Sequence, residues 1–260
     1  MIRKRHFNSV FIILAVVLVF FIGYPITLTF TGSSPAILWD TILDKQVQQS
    51  ILFTFSSSLI ATVIGLVTGI PLAYLLARNE FPGKRLVEGV IDLPIVIPHS
   101  AAGIALLMAL GRQSPLGRGF EVLGLKFVSA APGVVAAMLF VSVPFLVDAA
   151  REGFESVDPR LEYVARTLGS SAWGAFWKIS FPMAWRSILS GLIMMWSRGI
   201  SEFGAVVILT YHPMIAPVLL FERFQSFGLE YSLPVAGLVI LISMLVFVIL
   251  RTLSQERGKS

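Results

Sequence analysis

Between Phe7 and Trp39 the chain carries no lysine, arginine, aspartate or glutamate. The apolar core of that run, residues 10–30, is long enough to cross about 30 Å of hydrocarbon as a helix rising about 1.5 Å per residue. Inside a bilayer every backbone N–H and C=O must find its partner within the protein, which leaves helices and closed barrels. Continuous apolarity without period-2 alternation selects the helix. A secretory signal would have a shorter apolar stretch and a small-x-small cleavage site, so this segment is expected to be retained. Similar runs recur at 50–77, 90–110, 131–150, 183–211 and 233–250. The sequence therefore predicts an all-α integral membrane protein, a single domain over 1–260 with six transmembrane helices. Its composition, 56% hydrophobic and 13% charged, lies far from that of a soluble domain.

Six spans return both termini to one side, and the basic residues say which. With the N-terminus inside, thirteen lysines and arginines fall in the cytoplasm: 3–5, 78–85, 151–180 and the tail from Arg251. Five fall outside, at Lys45, Arg112, Arg118, Lys126 and Arg223. The bias predicts cytoplasmic termini and a cytoplasmic interval 151–180. It also explains the net charge of +5 without nucleic acid. Gly65 and Gly69, four apart, and Pro71 predict close helix contact and a kink in the second span.

Several chemistries are not encoded. There is no cysteine, and His6, His99 and His212 are scattered, so no metal site is expected. No Gly-x-x-x-x-Gly-Lys-Ser/Thr phosphate loop occurs, and no nucleophile and base group together, so neither an ATPase site nor a catalytic residue is expected.

The interval 151–180 holds one amphipathic helix. Asp158 is a suitable N-cap, Pro159 suits the first helical position, and Gly169 suits the residue past the end. Leu161, Val164, Ala165 and Leu168 form an apolar stripe, and Glu162 with Arg166 is an opposite-sign i, i+4 pair. A helix this short requires a partner surface, expected to be another protein. The stretch resembles the cytoplasmic signature of ABC importer membrane subunits: Glu-Ala-Ala, three residues, Gly, nine residues, Ile, one residue, Leu-Pro. Ala165, Gly169, Ile179 and Pro182 match; Tyr163, Val164 and Phe181 depart, and Glu162 stands one position before the signature carboxylate. The resemblance implies that Glu162, Ala165, Arg166, Leu168, Gly169, Ile179 and Pro182 couple the spans to an ATPase.

A second constellation joins Asp92-Leu-Pro-Ile-Val-Ile-Pro-His-Ser-Ala-Ala-Gly-Ile-Ala in span three to Arg198-Gly-Ile-Ser-Glu-Phe-Gly-Ala in span five. Pro94 and Pro98 each remove a backbone donor, so span three must bend or open. Arg198 and Glu202, spaced i, i+4, can pair and so lower the cost of burying either. These stretches resemble the molybdate, tungstate and sulfate branch of ABC permeases, archaeal members above all. The resemblance implies a homodimer with two ATP-binding subunits that use ATP and Mg, and an extracytoplasmic oxyanion-binding protein, in a prokaryotic cell membrane. The chain itself is expected to bind no cofactor. A path or gate is expected between spans three and five, at Pro94, Pro98, Ser100, Arg198, Ser201, Glu202 and Gly204. Asp92 and Asp148, near span ends, are expected to be structural, and His99 a packed or cavity-facing residue. Span six, uniformly apolar, is expected to face lipid. Sulfate remains an alternative substrate; an ion-coupled carrier would more naturally show inverted repeats, and none is evident.

Overall fold

The computed structural model describes residues 2–256, and all regular structure among them is helical. The helices are α1 (Ile2–Thr31), α2 (Pro35–Leu43), α3 (Lys45–Arg78), α4 (Lys84–Val96), α5 (His99–Leu110), α6 (Pro115–Val122) and α7 (Ala131–Glu155). They continue with α8 (Pro159–Thr167), α9 (Ala172–Ala175), a π turn (Phe176–Ser180), α10 (Phe181–Ile200), α11 (Gly204–Leu209), α12 (Ala216–Phe227) and α13 (Leu229–Glu256).

α7 is the centre of the bundle, packed along α3 on one side and α10 on the other. Small residues permit that approach. A Cβ at Gly69 would lie 3.2 Å from Val147, one at Gly191 2.9 Å from Ala149, and one at Gly65 would collide with the Met195 side chain. Gly65 and Gly69 thus serve the close contact expected of them. The buried side chains form two main layers. One joins Ala61, Ala102, Met138, Val206 and Val218; the other joins Ile70, Leu76, Leu146, Phe154 and Ile188. Polar groups between helices are satisfied across them: Ser58 Oγ donates to the Trp196 carbonyl at 2.7 Å, and Thr54 Oγ1 accepts the Ala216 N–H at 2.7 Å. Such bonds fix register where hydrocarbon offers no alternative partner.

Among the described residues four helices are long and apolar enough to cross a membrane: Val10–Thr31, Lys45–Arg78, Ala131–Glu155 and Leu229–Ile249. The pair α4 and α5 makes a fifth if counted as one broken span. Two of the six expected spans are interrupted rather than continuous. Span three is bent by 117° between Val96 and His99, because Pro98 holds Ile97 in an extended conformation (φ −73°, ψ 147°). The run expected over 183–211 is also divided: α10 ends at Ile200 and α11 starts only at Gly204. With Arg186 and Arg198 in its length, α10 is not among the helices apolar enough to span on composition alone.

The periphery follows from the same apolar pattern. None of the apolar window of α1 is buried, and only 22% of that of α13. They run antiparallel, with Phe30 beside Gly237 and Leu233 beside Gly32. Val235 of α13 packs on Val47 and Leu219, while Leu241, Met244 and Val248 are exposed. Asp44 caps α3 by accepting the Gln46 and Val47 N–H groups, and it binds Arg223 of α12 at 2.6 Å. Burial raises its carboxyl, but the Arg223 bond and the two backbone donors outweigh burial and hold it below its ordinary value.

Candidate functional site

Two clusters gather nearly all of the residues singled out in the sequence. The first surrounds α8. Asp158 Oδ1 accepts the Arg160 N–H at 2.9 Å, Pro159 opens the helix, and Gly169 follows it at φ +92°, a left-handed conformation that a side chain resists. The capping chemistry is local, and the helix lies where it was expected. The expected Glu162–Arg166 pair does not form, however. Glu162 turns toward the bundle, where Arg78 Nε donates to Oε1 at 2.7 Å, Ser180 Oγ to Oε1 at 2.6 Å, and Tyr74 Oη to Oε2 at 2.7 Å. Three donors fixed by the fold displace one exposed neighbour, and Arg166 stays at the surface.

Burial alone would raise the Glu162 carboxyl, but the bonds from Ser180, Tyr74 and Arg78 outweigh it and bring it below its ordinary value of 4.5. A depressed carboxylate contributes stability that is present above the ordinary value and is lost as pH falls through the folded one. The cluster is therefore intact at neutral pH.

With Glu162 turned inward, the apolar stripe faces out. Leu161, Val164 (55% exposed) and Leu168 (82% exposed) are uncovered, Ala165 is half-buried, and Trp173 adds a further exposed ring at 71%. Ile179 lies half-buried in the π turn. Pro182 follows at the start of α10; with no N–H it cannot continue the i to i−4 ladder, and just before it the Phe181 N–H reaches the Phe176 carbonyl five residues back.

The second cluster sits where the two interrupted helices meet, α5 packing on α11. Arg198 Nη2 donates to Glu202 Oε2 at 2.9 Å, and Glu202 Oε1 accepts the Ala205 N–H at 2.8 Å, capping α11. The ring nitrogens of His99, the first residue of α5, lie 2.6 and 3.1 Å from Arg198 Nη2. Its Nδ1 is 3.5 Å from Glu202 Oε2. Ser201 Oγ lies 3.3 Å from Arg198 Nη1. A Cβ at Gly204 would stand 2.8 Å from that of His99 and 3.3 Å from the Ser100 nitrogen, so glycine is what lets the two breaks touch. The Glu202 side chain is 1% exposed and Arg198 21%. The cluster thus holds a buried carboxylate beside a partly exposed guanidinium, a group whose free N–H donors suit an anion.

Pro98, Ser100, Arg198, Ser201, Glu202 and Gly204 are therefore together, and His99, expected only to be packed or cavity-facing, is between them. Pro94 is one turn earlier, buried in α4. Asp92 and Asp148 lie elsewhere, beside the Arg151 network that ties α7 to α4 through Glu88 at 3.0 Å. Among the described residues no group of three or more His, Asp or Glu side chains is placed to hold a metal.

Residues 65–257 match the family described as "Binding-protein-dependent transport system inner membrane component". The chain belongs to that family, the permeases of ABC importers. This permease is 43% identical over 253 residues to a molybdate/tungstate transport system permease protein, WtpB, of Thermococcus kodakarensis, covering 96% of this chain and 97% of that one. It is 33% identical over 210 residues to a probable sulfate transport system permease protein of Chlorokybus atmophyticus, covering 79% and 73%. Its fold matches, with a TM-score of 0.76 at 16% identity, a chain of a bacterial alginate ABC transporter crystallised with an alginate pentasaccharide-bound periplasmic protein. That match covers 99% of the permease and 97% of the other chain. Sequence reasoning missed Tyr74, Arg78 and Ser180 as partners of Glu162, because spacing carries no signal for contacts 18 to 88 residues away.

Proposed function

We propose that this permease is the membrane-spanning subunit of an ATP-driven importer for a tetrahedral oxyanion, molybdate or tungstate, working by alternation between inward-open and outward-open states. The observation that carries the substrate class is the 43% identity, over 96% of the chain, to a protein named for molybdate and tungstate transport. Sulfate is the second reading, resting on the lower identity of 33% over 79% of the chain.

In this reading the chain acts as one domain and six crossings, α10 with α11 and the bent α4–α5 pair each counting as one. It works as a homodimer with two ATPase subunits, which hydrolyse ATP with Mg, and with an extracytoplasmic oxyanion-binding protein. α8 is the coupling helix, and Leu161, Val164 and Leu168, with Tyr163 beside them, make its docking face. The antiparallel α1 and α13, with Phe30 beside Gly237 and Leu233 beside Gly32, support both termini lying on one side of the membrane. That agrees with the basic bias and with a multi-pass location in a prokaryotic cell membrane.

A dianion cannot enter hydrocarbon without a prohibitive loss of hydration, so its route needs polar walls. The junction of α5 with α11 supplies them: the Arg198 guanidinium, Ser100, Ser201, and backbone freed by the two helix breaks. Glu202 holds Arg198 partly neutralised, so that the guanidinium guides an anion without trapping it. In proteoliposomes holding permease, ATPase and binding protein, uptake of labelled molybdate should fall when equimolar tungstate is added and be little changed by equimolar sulfate. Competition by sulfate as strong as that by tungstate would move the assignment to the second reading.

A further inference from the structure

Between the docking face of α8 and the long helices lies the Glu162 cluster, whose mechanical consequence goes beyond the docking role. α8 is nine residues long and none of them is fully buried. Its chain connections are the short corner after α7 and the turn at Gly169.

The Glu162 carboxylate adds a second connection, through side chains. Its three donors come from two other elements: Tyr74 and Arg78 in the last two turns of α3, and Ser180 at the end of the π turn leading into α10. Arg78 also donates from Nη2 to the Val157 carbonyl at 3.0 Å, tying in the corner between α7 and α8. The Tyr74 ring is held edge-on by Phe154 of α7 at 5.3 Å and by Phe176 of the π turn at 4.9 Å. Charge-assisted bonds of this kind are short and directional, and the aromatic contacts fix the tyrosine that makes one of them.

We propose that Glu162 is the positioning residue that makes α8, the end of α3 and the start of α10 move as one body. A displacement imposed on α8 is then delivered at once to both long helices flanking α7. The π turn allows α10 to follow, because its ladder is already out of α-helical register before Pro182. This rests on α8 being the ATPase docking element.

The test uses the complete transporter in proteoliposomes and two ratios: molybdate moved per ATP hydrolysed, and stimulation of ATPase by loaded binding protein. A loss of folded protein lowers uptake and hydrolysis together and leaves both ratios unchanged. Glu162→Gln should lower molybdate moved per ATP about tenfold while the ATPase still co-purifies. The double variant R78M/E162M removes both charges, so it should assemble better than R78M alone, which strands a carboxylate, yet its transport per ATP should stay low. Unchanged ratios in Glu162→Gln and in the double variant would overturn the proposal, as would loss of the ATPase from Glu162→Gln. Val164→Asp separates the two ideas. If it strips the ATPase while Glu162→Gln stays coupled, the latch alone fails; if the ATPase stays on Val164→Asp while Glu162→Gln uncouples, docking through α8 fails.

Discussion

Replacing Arg198 by methionine should lower the stability of the permease by about 3 kcal/mol, because it strands the buried Glu202 carboxylate. The Glu202 side chain is 1% exposed, and among the described residues Arg198 Nη2 at 2.9 Å is its one partner of permanent charge. The Ala205 N–H and His99 remain, which places the effect at the low end of what breaking a buried pair costs. The double variant R198M/E202Q should recover about half of the loss, since glutamine keeps an acceptor for Ala205 and removes the unpaired charge. Thermal unfolding in detergent measures both. Transport should be lost in both variants, because neither restores the guanidinium. A double variant no more stable than the single one would show that Glu202 does not depend on Arg198.

Replacing Val164 by aspartate should abolish ATP-driven uptake without unfolding the chain. Val164 is 55% exposed, so a carboxylate there disturbs nothing inside the permease. Against a partner it would enter an apolar contact with Leu161 and Leu168, at a cost of about 2–4 kcal/mol, or roughly 30-fold to several hundred-fold in affinity. The assay is the ATPase retained when the tagged permease is purified in mild detergent. Retention equal to that of the unchanged protein would remove α8 from the docking surface.

How far these features could be read in advance depends on the range of the interactions behind them. The ends of α8 were legible because Asp158, Pro159 and Gly169 act within a turn of where they stand. The break in span three was legible for the same reason, since Pro98 dictates the conformation of Ile97 whatever surrounds it. The Arg198–Glu202 pair was visible as an i, i+4 spacing, and it survives although α10 ends between the two residues. The direction in which Glu162 points was not legible. Spacing offered Arg166, while the fold brought Arg78, Tyr74 and Ser180 from outside the helix. The division of 183–211 was hidden because Ser201 to Phe203 sit within a long, mostly apolar stretch. What breaks the helix is the capping of α11 by Glu202 and the approach of His99 to Gly204. The short α2, α6 and α12 were not anticipated, although Ser34-Pro35 and Ser114-Pro115 open α2 and α6 with the same cap-and-proline start as α8.

Uptake energetics test the central claim most directly. Permease, its ATPase and its binding protein would be placed in sealed vesicles, and labelled molybdate counted inside with ATP enclosed or omitted. Accumulation should require both ATP and the ATPase subunit and should persist when proton and sodium gradients are collapsed. Accumulation that an ion gradient drives without the ATPase would contradict the account and make the chain a secondary carrier.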